Sequence, residues 1–107
     1  MEYKLGVKDR LVLLGILPAE GNLVMIRIVR ELREGLSFSE AEHKDLQMTE
    51  LEGGRLRWEE GAVPEREFEI GAKGQETIRK ALEKLDKDEK LAADHLALCD
   101  LFEYTGD

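Results

Sequence analysis

The chain has 107 residues, 42% of them hydrophobic and 37% charged, and its formal net charge is −8. That length fits one domain with a single core, and the apolar content argues against disorder. The acidic balance disfavours nucleic-acid backbones and anionic membranes as partners, and a lone cysteine, Cys99, excludes an intrachain disulfide.

The charge is unevenly spread. Residues 1–37 carry 6 basic and 5 acidic side chains, whereas residues 38–107 carry 10 and 19. No leader-like pattern opens the chain. The longest apolar run, Leu11 to Leu17 with Gly15 inside it, is too short to span a bilayer. A cytoplasmic setting is therefore expected.

Asp9 is placed to cap a first helix that runs to about Leu17, where Pro18 stops it. Leu11, Val12, Leu13, Leu14, Ile16 and Leu17 make this helix apolar nearly all round, so it belongs in the core or at a subunit interface. Asn22 then caps a second helix. Met25, Ile26, Val29, Leu32 and Leu36 recur at helical spacing, and Gly35 is the expected terminator. Ser37 with Glu40, and Ser39 with Glu42, both fit a Ser-x-x-Glu capping box, so a short third helix runs to about Lys44.

The middle of the chain reads as a hairpin. Leu46 and Met48, then Leu56 and Trp58, alternate with polar residues around Gly53-Gly54. A three-residue loop, Glu52-Gly53-Gly54, pairs Leu51 with Arg55 and sets Met48 opposite Trp58, with Leu46 and Leu56 on the same face. That register is preferred over a two-residue turn, with Gly54 left-handed in a bulge. A third strand from Glu65 to Ile70 follows through Gly61-Ala62-Val63-Pro64 and puts Arg66, Phe68 and Ile70 on one side. From about Lys73 a helix carries the stripe Ile78, Ala81, Leu82 and Leu85, broken at Asp86-Lys87-Asp88. A last helix, Leu91 to Glu103, turns Leu91, Leu98, Cys99 and Phe102 inward, and Thr105-Gly106-Asp107 is a frayed end. The expected fold is α+β: three N-terminal helices, a three-stranded antiparallel sheet over about 45–51, 55–60 and 65–70, and two C-terminal helices.

Several of these stretches carry a likeness. Lys8-Asp9-Arg10-Leu11-Val12-Leu13-Leu14, Ile16-Leu17-Pro18-Ala19-Glu20-Gly21-Asn22, Ile28-Val29-Arg30-Glu31-Leu32 and Leu36-Ser37-Phe38-Ser39-Glu40 resemble a family of small uncharacterised phage and prophage proteins. Trp58, Lys84-Leu85-Asp86, Lys90-Leu91 and His95-Leu96 continue it. The likeness covers most of the chain and rests on caps, core stripes and a turn. It implies a viral or prophage origin and action in the host cytoplasm, and it carries no catalytic residues over.

No candidate chemistry exceeds its plainer explanation. His95 and Cys99 stand four apart and make at best half a zinc site; packing explains both better, and a Cys99 nucleophile with His95 or His43 lacks an orienting third group. Glu42, His43 and Asp45 read as a solvated helix face. The pairs Glu59-Glu60 and Glu67-Glu69, flanked by Arg57 and Arg66, read as cross-strand ion pairing. Gly71-Ala72-Lys73-Gly74 lacks the spacing of a phosphate loop. Arg27, Arg30 and Arg33 recur every three residues on the second helix and suit an acidic partner, but Glu31 and Glu34 stand near enough to neutralise them. Arg55 and Arg57 add basic charge on the hairpin.

No catalytic, cofactor or metal site is therefore expected. The chain reads as a non-enzymatic protein-interaction or assembly module that binds itself or a host or phage protein. Partner-binding candidates are Arg27, Arg30, Arg33, Arg55 and Arg57, and the acidic remainder is a candidate mimic of DNA charge. A winged-helix nucleic-acid-binding protein is the alternative, with the hairpin as wing, although Glu40, Glu42 and Asp45 oppose groove entry.

Overall fold

The computed structural model describes residues 2–59, 61 and 63–106. A short strand opens the fold. β1 (Glu2–Leu5) turns Tyr3 and Leu5 inward and Glu2 and Lys4 outward. It leads through Gly6 into α1 (Val7–Ile16). Gly6, not Asp9, occupies the cap. Asp9 sits one turn inside and accepts the Gly6 N–H through Oδ2 at 3.2 Å. The helix stops as expected. Leu17, held extended by the following proline, ends it at φ −62°, ψ 134°.

α2 (Leu23–Leu36) is capped by Asn22, whose side chain accepts the Met25 N–H at 2.9 Å. Gly35 lies inside the helix instead of ending it, and Ser37 supplies the C-terminal cap. Of the two capping boxes only the second forms. Ser39 and Glu42 exchange their reciprocal bonds at the head of α3 (Glu40–Leu46).

The hairpin holds the preferred register. β2 (Thr49–Glu50) pairs with β3 (Leu56–Arg57), Thr49 opposite Arg57 and Glu50 opposite Leu56. The Leu51 N–H reaches the Arg55 carbonyl at 2.7 Å. Both Gly53 (φ 80°) and Gly54 (φ 75°) adopt left-handed backbone in the loop. Leu46 is buried and Met48 and Trp58 are half-buried, but Leu56 remains 43% exposed. The four residues therefore do not share one buried face. Gln47, left-handed at φ 48°, separates Leu46 from the strand.

The expected three-stranded sheet does not form. The hairpin stays a separate two-stranded sheet, and β4 (Arg66–Glu69) pairs antiparallel with β1. The reason is core packing. Tyr3 stands opposite Phe68 in that ladder, and both are buried. Tyr3 also stacks on Phe102, with ring centroids 4.4 Å apart. The hairpin has no comparable apolar row to offer β4. Within the expected ranges, Glu60, Ala62 and Asp107 lie outside the described residues.

α4 (Ala72–Lys87) buries Ile78 and Leu82 completely. The last helix is shorter than expected. A 3₁₀ turn at Ala93–His95 precedes α5 (Leu96–Leu101). Leu98, Cys99 and Phe102 nevertheless point inward as the spacing requires, with Leu91 packed at the margin. α1 sits at the centre and packs against β1, α2, α4 and α5. Its all-round apolarity belongs chiefly to the core.

Candidate functional site

One groove stands out, and α1 and α4 make its walls. Val12, Gly15 and Ile16 come from α1, and Ala81 and Leu85 come from α4. Met25, in the first turn of α2, lines the groove as well. The volume is about 720 Å³, in the range of small-ligand and side-chain pockets. Gly15 deepens it, because a Cβ there would meet nothing within 4 Å. The expected helical stripe of α4 explains the floor. Ile78 and Leu82 go to the core, while Ala81 and Leu85, the other half of the stripe, stay half-buried in the groove.

The rim is charged and balanced. It carries Lys80, Lys84 and Lys90 together with Glu20, Asp88, Asp94 and His95. Two of these charges are already engaged. Lys80 Nζ reaches Glu76 at 3.0 Å, and Asp94 holds Lys8 at 2.9 Å. The second contact ties the 3₁₀ turn to the head of α1, raising the Lys8 amine and lowering the Asp94 carboxyl through their hydrogen bond. A rim with both signs favours neither a phosphate nor a cation. An apolar floor inside such a rim suits an apolar segment with few charges of its own.

The structure places His95 and Cys99 apart in role. His95 Nδ1 accepts the Ala92 N–H at 2.8 Å and caps the turn. Cys99 is buried, and its thiol is pushed up by that burial and by Asp100 and Asp86. Among the described residues, no cluster of three or more His, Cys, Asp or Glu side chains is arranged to hold a metal.

The arginine stripe divides. Arg33 Nη2 leans toward the Leu17 carbonyl at 3.5 Å, while Arg27 and Arg30 stay on the exposed face of α2. Among the described residues, none of the three forms an ion pair with Glu31 or Glu34, so the expected self-neutralisation is not made. Arg55 and Arg57 are exposed on the hairpin. The two arginine sets are not gathered into one site, since α2 packs mainly on α4 and α1, and β3 on β2.

The carboxylates of the β1–β4 sheet also differ from expectation. Glu67 faces Lys4 across the ladder, Glu2 faces Glu69, and Arg66 covers the Phe68 ring at 4.5 Å. A hydrogen bond with Glu67, and that residue's charge, raise the Glu2 carboxyl.

Sequence reasoning missed Arg10, the largest fully buried side chain. Its Nε donates to the Leu36 carbonyl at 3.0 Å, Nη2 to the Ser37 carbonyl at 2.9 Å, and Nη1 to Glu42 at 2.7 Å. The available signal was an arginine set directly against the apolar run Leu11 to Leu14, one turn into a helix whose other charges, Lys8 and Asp9, lie ahead of it.

Among the described residues, no helix is long and apolar enough to cross a membrane. The chain matches no family model, no curated protein and no solved structure.

Proposed function

We propose that this chain is a non-enzymatic protein-interaction module of phage or prophage type, acting in the host cytoplasm, whose α1–α4 groove receives an apolar segment of a partner protein. The observation that carries this reading is the groove itself, with its apolar floor and its rim of three lysines and three carboxylates. Partner recognition of this kind rests on apolar anchors seated in a pocket, with rim charges selecting the register. The winged-helix alternative gains no comparable support. Glu40 and Asp45 are exposed on α3, the helix that would enter the DNA groove, and their charge opposes a phosphate backbone.

Gly15 offers a clean test. Gly15→Leu projects into empty space and fills the groove without a clash at Cβ. It also removes a helix-interior glycine, so the variant is expected to fold. A photo-crosslinking residue at Lys84 should capture a defined host or phage protein from infected-cell lysate, and Gly15→Leu should abolish the adduct. Equal adducts with and without Gly15→Leu, or from a control position at Glu50, would refute the reading.

A further inference from the structure

α2 has a second face that the groove does not use. Leu23, Arg27, Arg30 and Glu34 succeed one another at steps of four, three and four residues, which makes a straight seam along the helix. Glu31 flanks it. All five are exposed, Leu23 at 65%. They lie opposite Val29 and Leu36, the residues that α2 buries.

The charge order along this seam is unusual. Its basic residues precede its acidic ones, against the preference of the helix dipole. α3 obeys that preference, with Glu40 and Glu42 in its first turn and His43 and Lys44 in its last. Nor do the charges satisfy one another within the chain. Arg27 and Glu31, and Arg30 and Glu34, are four residues apart, yet among the described residues none of the four is ion-paired. An order that gains little for a single chain is self-complementary in two. Antiparallel apposition about a two-fold axis between Arg30 and Glu31 sets Arg27 against Glu34 and Arg30 against Glu31 of the second copy. It also opposes the two helix dipoles favourably and sets each Leu23 just past the end of the other helix, level with Phe38 of the second copy.

We propose that α2 is a homodimerisation face, pairing antiparallel with α2 of a second copy through these reciprocal Arg–Glu contacts. The pairing is independent of the groove. One helix face is a small contact, and both copies are net negative, so the dimer is weak and forms at high concentration.

Sedimentation velocity over a concentration series tests it. The wild-type chain should show a reversible monomer–dimer equilibrium. The doubly reversed variant Arg27→Glu with Arg30→Glu should be monomeric, and so should Glu31→Arg with Glu34→Arg. An equimolar mixture of the two should dimerise at least ~10-fold more tightly than either alone, because only the mixed pair restores opposite charges. Circular dichroism checks that both variants keep the fold, as exposed positions should. A wild-type monomer at the highest soluble concentration, a dimer that survives both reversals, or a mixture that stays monomeric would each overturn the proposal.

Discussion

Arg10 and Glu42 form a two-pronged ion pair across 32 positions of sequence. Nη1 meets Oε2 at 2.7 Å and Nη2 meets Oε1 at 3.2 Å. The Arg10 side chain is 1% exposed and that of Glu42 17%. The Phe38 ring lies 4.0 Å from the guanidinium carbon. Together with the Leu36 and Ser37 carbonyls, the pair pins α1 to the end of α2 and the start of α3. Such a pair adds little net stability over an apolar replacement, but removing one partner leaves a buried charge unmatched.

Glu42→Ala should therefore be costly, at about 3 kcal/mol in urea unfolding. It also removes the acceptor for the Ser39 N–H. Glu40→Ala, on the same helix and exposed, should cost less than about 0.5 kcal/mol. Equal effects of the two would show that the Arg10 contact does not hold the helices together.

The same contact should make stability depend on acid. Hydrogen bonding to Arg10 holds the Glu42 carboxyl at about 2, against its burial and with help from the Ser39 N–H and the charges of Arg10 and Arg66. Its ordinary value is 4.5. The folded value is the lower one, so the contribution is complete above pH 4.5 and is lost as pH falls toward 2. Its size is about 3 kcal/mol. Unfolding free energies of wild type and Glu42→Gln should thus converge between those limits. A constant gap between the two curves would exclude this linkage.

Two glycines inside helices should respond to alanine in opposite directions. At Gly35 a Cβ meets nothing within 4 Å, so Gly35→Ala should stabilise by about 0.5–1 kcal/mol through helix propensity. At Gly74 a Cβ would lie 3.0 Å from Ile70 Cγ2 and 3.3 Å from Leu32 Cδ2, where α4 approaches α2. Gly74→Ala should cost about 1 kcal/mol despite the same propensity gain. Thermal melts of the two variants should move to opposite sides of the wild type.

Tyr104 should titrate late. Its hydroxyl donates to Asp86 Oδ2 at 2.7 Å, and that bond, with burial and the Asp86 charge, pushes the phenol up to about 12. The protonated phenol makes the contact, so the contact persists at lower pH and is lost as pH rises through that value. Ultraviolet titration of Asp86→Asn should show one tyrosine ionising earlier than in the wild type. An unchanged titration would remove Asp86 as the cause.

Local signals read well where local chemistry sets the outcome. The Asn22 cap, the Ser39–Glu42 capping box, the stop at Pro18 and the Glu52-Gly53-Gly54 loop each depend on a few adjacent residues, and each forms as its spacing requires. The inward set Leu98, Cys99 and Phe102 also followed from helical spacing, although the helix itself is shorter. The candidate site was less legible. Ala81 and Leu85 belonged to a recognised stripe, but nothing local says that half of that stripe would be left in an open groove.

By itself, then, the amino-acid sequence determined an α+β chain with its Asn22 and Ser39 caps, its hairpin register and most of its inward-facing residues, because each is set by neighbours within a few positions. Only the tertiary structure decided that Glu2–Leu5 is a strand, since its partner lies more than sixty residues away and four residues hold no stable strand alone. The same long-range packing drew β4 from the hairpin to β1, buried Arg10 against Glu42, and opened the groove between α1 and α4. Each of these compares the burial of one distant segment with another, a choice that pattern along the chain does not contain.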